Sequence, residues 1–341
     1  MKLFSLITFL FLISAFAQDN KTGSTEPKEP AKEDKELPAI DKKGAPSVRI
    51  GQLIGINPMG RSYPNGLRSL LALTDEETSI KVDKDPVIFK SFEDEGIFDC
   101  PFIYVNYVDR ADWEFTKKEQ KNLKRYLENG GFIYIDAGIN SEFLRQNISS
   151  GQSHSFADWS VTPQLGESFK KVFPGKKFKP LPRAHKLYKV FYKGLPDPTV
   201  LPDSVRKFVV NEKWPQGTYS AVSLEVNGRI AVLCTPIIAM GWGKRYNGEW
   251  ETQISFRIRE STDGLGEYLK NAAHYSSYKA NREDGGKDVI YTDSSNKPAW
   301  VKEPDGTWRV FRYYTSQTIS NYAHEFYSRL GVNIFVYALT N

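Results

Sequence analysis

The sequence predicts an α/β fold in which an open, mostly parallel sheet is flanked by helices. Two apolar runs, Phe102–Val108 and Phe132–Asp136, bracket a segment with helical spacing. Near-continuous apolar runs are typical of strands that are covered on both faces. Because strand, helix and strand follow one another within about 35 residues, they predict a βαβ unit with parallel strands and a right-handed crossover.

The chain before this unit supplies the first elements of the predicted sheet. Val48–Ile56 is rich in β-branched residues and predicts a strand, which the turn residues of Asn57–Gly60 end. Gly66–Leu73 has leucines clustered on and beside one helical face and predicts a short helix. Ser79–Val82 and Val87–Phe89 predict two short strands.

The helix inside the βαβ unit has a defined start and end. Thr116 and Glu119 match a capping box, in which each side chain satisfies a backbone N–H of the first turn. Gly130 and Gly131 end the helix. Its apolar positions recur at three and four residues, as a core-facing helix requires: Leu123, Tyr126 and Leu127.

A β-hairpin is predicted further along the chain. Ala221–Val226 and Arg229–Thr235 flank Asn227-Gly228, a strong short-range hairpin signal. The remaining segments predict a helix at 164–172, an amphipathic helix at 265–278, a polar surface loop at 281–298 and a final helix at 321–339.

The N-terminal residues predict export. Lys2 and the apolar run Leu3–Phe16, followed by an A-x-A end at Ala17, form a secretory signal peptide at residues 1–17. Residues 18–47 contain four prolines and no aromatic residue, a composition that predicts a disordered tether. The predicted folded unit is therefore 48–341, with no stable membrane span after removal of the signal.

Composition and motifs exclude several classes of protein. The 341 residues carry a formal charge of +5 without a dense basic stripe, so no nucleic-acid partner is expected. Two cysteines exclude a disulfide framework and a four-cysteine zinc site; Cys100 and Cys234 are expected to be buried, and a disulfide between them stays open. No dinucleotide or phosphate loop is present, and Ser328 stands where a zinc-binding partner of His324 would be needed. No cofactor or metal is expected.

One stretch resembles a bacterial family named only as domain of unknown function 4159. The stretch is TKKEQKNLKRYLENGGFIYIDAG, at 116–138, and the segments 169–192 and 329–341 are also similar to the family. The positions that carry the first resemblance are Glu119, Leu123, Tyr126, Leu127, Gly130, Gly131, Phe132 and Asp136. The range 244–314 matches least and is predicted to be an insertion.

The resemblance implies a fold similar to class I glutamine amidotransferases. This is a flavodoxin-like open, mostly parallel sheet flanked by helices, here with a C-terminal extension that contains the β-hairpin. It does not imply amidotransferase activity, because the chain shows no trace of the Cys-His-Glu machinery.

Candidate ligand-binding residues follow from the rule that open α/β sheets bind ligands outside the carboxyl ends of their strands. The rule selects Asn106, Asp109 and Asp112 after one strand, and Asp136 and Asn140 after the next. Asp136 is a candidate acceptor for sugar hydroxyls, or it caps the following turn through a side-chain–backbone bond. Trp242 is a candidate for stacking on a sugar face; the alternative, slightly preferred, is that it packs in an insertion's own small core.

Two functions are compatible with the sequence. The preferred hypothesis is an exported, non-catalytic binding or scaffold module of the bacterial envelope, with a glycan, peptide or protein partner. The alternative is an envelope hydrolase that acts on glycan or peptide, with His185 and Asp136 as its acid–base pair. A structural role for His185 is the simpler interpretation of that residue.

Overall fold

The computed structural model describes residues 44, 46–55, 63–110, 112–139, 161–212, 214–215, 217–262, 276–281, 287–292, 298–302 and 308–341. All of them belong to one unit, Asp41–Asn341. The predicted signal peptide at 1–17 and residues 18–43 of the predicted tether lie outside the described residues.

A seven-stranded mixed sheet forms the centre of this unit. Its order is β2-β1-β3-β4-β7-β6-β5; the first five strands in that order are parallel, and β6 and β5 are antiparallel to their neighbours. The predicted class, α/β with a mostly parallel sheet, is confirmed. The strands are β1 (Ile50–Leu53), β2 (Val87–Phe89), β3 (Phe102–Asn106), β4 (Phe132–Asp136), β5 (Lys179–Pro180), β6 (Val222–Val226) and β7 (Arg229–Cys234).

Helices cover both faces of this sheet. They are α1 (Gly66–Glu77), α2 (Lys117–Glu128), α3 (Pro163–Val172), α4 (Asp203–Val210) and α5 (Gln317–Thr340). Phe102 and Tyr104 of β3 join a core with α1, α4 and α5, whereas Ile103 and Val105 join a second core with α2 and α3. Because successive side chains of a strand point to opposite faces, one fully apolar strand serves both cores.

The β3–α2–β4 unit forms as predicted. The Thr116 hydroxyl accepts from Glu119 N, and a Glu119 carboxylate oxygen accepts from Thr116 N, which completes the capping box. Both glycines after α2 have a structural reason: Gly130 has a positive φ, and Gly131 leaves room for a neighbouring ring. A Cβ on Gly131 would lie 2.4 Å from the ring of Tyr126, whose hydroxyl donates to Cys100 O at 2.8 Å.

The predicted hairpin is also confirmed. β6 and β7 pair in antiparallel register around Asn227 and Gly228, which have φ of 53° and 78°. Positive φ at both central positions defines the tight turn that asparagine and glycine favour, and its twist matches that of the flanking strands.

A second, five-stranded sheet is antiparallel throughout, in the order β8-β12-β11-β10-β9. The strands that come first and last along the chain, β8 and β12, are neighbours in the sheet, and Phe256 of β8 pairs with Tyr314 of β12. All five strands fall within 244–314, the range predicted as an insertion. They are β8 (Phe256–Thr262), β9 (Ser276–Asn281), β10 (Lys287–Thr292), β11 (Pro298–Lys302) and β12 (Trp308–Tyr314).

Two sequence predictions fail in this sheet. The helix predicted at 265–278 is wrong at its C-terminal end, where β9 begins, and the loop predicted at 281–298 contains β10. β9 is an edge strand, and its polar sequence SSYKAN lacks the apolar alternation that identifies a half-buried strand. Its strand conformation depends on pairing with β10, which a local pattern does not reveal.

The final helix, α5, extends the predicted 321–339 by a turn at its start. Ser316 caps it by accepting from Ile319 N at 3.1 Å. Within the described part of the chain, no helix has both the length and the apolar character needed to cross a membrane.

A buried ion pair fixes α2 to the segments around it. The Glu119 carboxylate, 2% exposed, accepts both terminal N–H groups of Arg110, at 2.7 and 2.9 Å. It also accepts from the Ser91 hydroxyl at 2.8 Å and from the backbone N–H groups of Phe92 and Thr116. One carboxylate thus joins α2 to the segments that follow β2 and β3.

Glu119→Gln is expected to lower the free energy of unfolding by about 3 kcal/mol, because it leaves the Arg110 guanidinium buried without its charge partner. Burial alone would raise the pKa of Glu119, but the hydrogen bonds and charge of Arg110 outweigh burial and the pKa is lowered. The pair therefore stabilises the fold above about pH 4.3, the ordinary value for glutamate, and this stability is lost as the pH falls through the lower pKa of the folded state.

Urea denaturation followed by circular dichroism at several pH values measures both effects. Glu95→Gln is the matched control, because Glu95 pairs with Arg125 at the surface, 3.7 Å away. A Glu119→Gln protein as stable as the Glu95→Gln protein at pH 7 would contradict the assignment.

Candidate functional site

The candidate site is built around Asp136, the last residue of β4. Its side chain is 0% exposed. Oδ1 accepts from the backbone N–H of Ile238 at 2.8 Å and of Ala239 at 3.4 Å, and Oδ2 accepts from Asn106 Nδ2 at 3.1 Å. Asp136 therefore does cap a turn, as one of the two sequence interpretations proposed, but the turn is the one that follows β7.

Asn106 occupies the equivalent position on the neighbouring strand. The parallel register pairs Asn106 of β3 with Asp136 of β4, so their side chains lie side by side. Its Oδ1 accepts from Val108 N at 3.1 Å and caps the short 3₁₀ turn Tyr107–Asp109. The structure thus brings together two of the predicted site residues, as the strand-end rule implied.

Tyrosine side chains complete a buried polar cluster with Asp136. The Tyr134 hydroxyl lies 3.3 Å from Asp136 Oδ1 and 2.7 Å from the hydroxyl of Thr235. Tyr104 is buried on the same face of the sheet. Tyr63 is half-buried, and the charge of Asp136 contributes to raising its pKa.

Burial sets the ionisation behaviour of this cluster. It raises the pKa of Asp136 to about 7, against the opposing effect of the hydrogen bonds from Ile238 and Ala239. Burial, and after it the charge of Asp136, raises the pKa of Tyr63 to about 12. The cluster therefore holds a carboxyl group that titrates near neutrality, beside phenols that stay protonated.

The other predicted residues at this edge have different environments. Asp109 is buried near Tyr104, whose pKa is raised by burial and then by the charges of Asp136 and Asp109. The backbone oxygen of Asp109 accepts from Gly55 N at 3.0 Å, which joins the ends of β1 and β3. Asn140 lies outside the described residues.

Trp242 is a packing residue in this structure. The ring is 2% exposed, lies against Tyr104 and Tyr134, and donates through Nε1 to the backbone oxygen of Tyr327 in α5 at 2.9 Å. A ring enclosed in this way has no free face for a sugar, so Trp242 has neither the predicted stacking role nor a place in an insertion's own core; it packs in a core of the main unit. That core lies between the main sheet and α5.

His185 lies in a different part of the molecule from this cluster. It precedes the 3₁₀ turn Lys186–Lys189, its Nδ1 accepts from Leu187 N at 3.2 Å, and its ring meets Tyr337 edge-on at 5.4 Å. Burial and then the charge of Lys186 lower its pKa, while the charge of Glu225 raises it.

The strand registers place Asp136 relative to Glu225, a residue whose charge acts on His185. Glu225, the carboxylate whose charge acts on His185, pairs with Ile230 of β7, whereas Asp136 lies just beyond the level of Cys234. These two positions are two strands apart across the sheet and about five residues apart along it, roughly 19 Å at the usual spacings. His185 and Asp136 have different hydrogen-bond partners, and no hydrogen bond joins them in the described part of the chain, so the acid–base pair of the hydrolase hypothesis stays a prediction.

The two cysteines are free and buried, as predicted, and do not form a disulfide. Cys100 precedes β3, whereas Cys234 ends β7. Burial raises the pKa of both thiols. Neither is an activated thiolate, since an activated cysteine has a lowered pKa.

Two open clefts lie elsewhere on the surface. One, of about 470 Å³, is lined by Trp250 and polar residues near the start of α5. The other, of about 690 Å³, is lined by residues of 183–194 and by Tyr219. Neither includes Asp136. Among the described residues, no group of three or more histidine, cysteine, aspartate or glutamate side chains is placed to hold a metal ion.

Sequence reasoning missed the tyrosines of the cluster and the backbone donors that bind Asp136. Tyr134 lies inside an apolar run and has the pattern of a core residue. Ile238 and Ala239 act through backbone N–H groups, which leave no trace in the sequence. A row of basic residues in RAHKLYKVFYK, at 183–193, was available as a signal for the larger cleft.

The fold and this cluster define an α/β protein whose central strand ends in an enclosed carboxyl group. Residues 55–339 match the family described as Domain of unknown function (DUF4159). The chain belongs to that family, which confirms the family resemblance of the sequence. No curated protein matches the chain.

The free energy of unfolding is expected to fall as the pH rises from about 4 to about 7, through the contribution of Asp136. The pKa is about 7 in the folded protein and about 3.9 in an unfolded chain, so the folded state holds the proton across this range and unfolding releases it. The slope approaches about 1.4 kcal/mol per pH unit for a single group.

Asp136→Asn removes this slope, because the amide does not titrate. Denaturant titrations of both proteins across pH 4–8 measure the difference, and taking the difference cancels the histidine contributions. Asp203→Asn is the control, since that carboxylate is exposed beside Arg206. Parallel pH profiles for the wild-type and Asp136→Asn proteins would contradict the raised pKa.

Proposed function

We propose that the chain is an exported, non-catalytic binding or scaffold module of the bacterial envelope. Its core is a flavodoxin-like layer similar to class I glutamine amidotransferases, and its predicted tether precedes this layer. Three observations support the proposal. Asp136 is enclosed at the carboxyl ends of the strands, the parallel strands have a flavodoxin-like order, and the N-terminal sequence has the pattern of an export signal.

The strand order supports the flavodoxin-like assignment. The five parallel strands, in sheet order, are β2, β1, β3, β4 and β7. Numbered by their appearance along the chain, they read 2-1-3-4-5, the doubly wound order in which ligands meet the carboxyl ends of the strands.

The non-catalytic role rests on the residues at the carboxyl end of the central strand, β4. Asp136 is fully buried and both of its oxygens already accept hydrogen bonds. Ala137 follows with φ of 58°, a conformation that is strained for a residue with a side chain. Sharp strained turns after a strand are where some α/β enzymes present a nucleophile, and here the position carries only a methyl group.

Export is supported by the first 47 residues of the sequence. A charged start, an apolar run and an A-x-A end form a secretory signal, and the proline-rich segment that follows has the composition of a flexible tether. Both thiols of the folded part are buried and unpaired, so the fold does not depend on a disulfide.

The mature protein is expected to show no turnover of glutamine, ester, peptide or glycoside substrates above a no-protein blank. A separate measurement tests the burial of the cysteines. Iodoacetamide is expected to react slowly with the folded protein and to modify both thiols of the urea-unfolded protein. Intact mass spectrometry measures the modification. Turnover that follows the protein through purification and disappears in Asp136→Asn or His185→Ala would overturn the non-catalytic assignment.

The binding half of the proposal has its own measurement. The mature protein should cosediment with purified envelope fractions and reach saturation as its concentration increases. Heat-unfolded protein, cleared of aggregates, serves as the control. A folded protein that stays wholly in the supernatant would contradict an envelope-binding role.

The full-length chain, expressed in a bacterial host, is expected to yield a processed product that begins at Gln18 and lies outside the cytoplasm. The reason is that the apolar run engages the export machinery and cleavage follows Ala17. Cell fractionation and mass spectrometry of the N-terminus measure both. Leu10→Arg should leave the product unprocessed in the cytoplasm; the same processed product from this variant would contradict the assignment.

A further inference from the structure

A basic groove lies on the surface between the 183–194 segment and Tyr219. Its volume is about 690 Å³, within the usual range for ligand sites. It is lined by Arg183, Ala184, Lys186, Tyr188, Lys189, Val190, Lys193, Gly194 and Tyr219. Four of these side chains are cationic and none is acidic.

The cations of this groove are only partly neutralised. Arg183 pairs with the Glu212 carboxylate, and Lys186 bonds the Asn341 side-chain oxygen. Lys189 and Lys193 are exposed, and no carboxylate in the described part of the chain forms an ion pair with them. The groove therefore has positive charge available for a ligand.

A buried asparagine holds the lysine-bearing segment in place. Asn333 of α5 is 2% exposed, and its Nδ2 donates to the backbone oxygens of Tyr188 and Tyr192 at 2.9 and 3.0 Å. Its Oδ1 accepts from the backbone N–H groups of Phe191 and Tyr192 at 3.1 and 2.8 Å. All four hydrogen-bonding positions of this side chain are used, so the turn is fixed before any ligand arrives.

The two tyrosines that line the groove are also held in place. Tyr188 and Tyr219 meet edge to face at 4.9 Å, and the Arg183 guanidinium lies 5.2 Å from the Tyr219 ring centre. The Tyr188 hydroxyl accepts from Ala221 N at 3.2 Å. Tyr219 has φ of 55°, and such backbone strain is concentrated at ligand-binding positions in proteins.

We propose that this groove binds a segment of an acidic glycan whose sugars carry carboxylates. The lysines would pair with the carboxylates, and the apolar face of a sugar would lie against the partly exposed ring of Tyr219, which has an apolar body and a polar tip. The inference deepens the binding role proposed above by naming the chemistry of the partner. The turn fixed by Asn333 distinguishes the groove from a row of solvated surface lysines, which needs no preorganised frame.

Isothermal titration calorimetry with the mature protein and trigalacturonic acid tests the proposal. Binding is expected, and it should weaken several-fold between about 50 mM and 500 mM salt, because exposed charges are screened. The methyl-esterified trimer has the same rings without the charges and should bind at least tenfold more weakly. Equal affinity for the two trimers would overturn the proposal.

Paired variants locate the site. Lys189→Gln/Lys193→Gln is expected to lower the affinity about tenfold, since exposed ion pairs each contribute up to about a factor of five. Tyr219→Leu should weaken binding of the sugar while sparing the lysines. Lys118→Gln/Lys121→Gln removes the same charge from exposed positions of α2 and should bind like the wild type. A loss as large in this control pair would show non-specific charge attraction and overturn the site.

Two further probes separate the chemistry of the ligand. Triglutamate and tripolyphosphate carry comparable charge without sugar rings, and either one binding as tightly as trigalacturonic acid would overturn the glycan assignment. If no acidic trimer binds but the protein still cosediments with envelope fractions, the groove proposal fails and the binding role stands. If cosedimentation is also absent, both fail.

Discussion

The hydrogen bonds of the Asp136 carboxyl group hold the centre of this fold together. Asp136 is the last residue of the central strand, and it joins β3 through Asn106 and the segment after β7 through Ile238 and Ala239. That segment leads directly to Trp242, whose indole N–H is bonded to α5. Burying a carboxyl group is costly, and the donors around it offset that cost.

The enclosed carboxyl group and the proposed binding groove lie in different parts of the molecule. The edge of the sheet where many α/β proteins bind ligands is used here to close the fold, with Asp136 enclosed. Exposed lysines lie on the turn that Asn333 fixes against α5, beside Tyr219. In the binding role proposed above, contacts with a partner would come from surface turns, while the α/β frame stays unchanged.

The elements with local signals were predictable from the sequence. The capping box of α2, the apolar strands β3 and β4 and the Asn227-Gly228 hairpin are each encoded within a few neighbouring residues, and each formed as predicted. The strand-end rule also selected Asp136 and Asn106. What failed depends on distant partners: β9 acquires its strand conformation from β10, Trp242 is enclosed by α5, and Asp136 finds its backbone donors about one hundred residues away.

The five-stranded sheet begins and ends at one place. Phe256 of β8 pairs with Tyr314 of β12, and just before that pair the hydroxyl of Ser255 lies 2.9 Å from that of Thr315. The chain therefore departs from the rest of the fold and returns to it across the width of a single strand pair. A segment attached through two adjacent points can be replaced during evolution by a shorter turn or by a different module, because either one can join Ser255 to Thr315 without moving the rest of the fold.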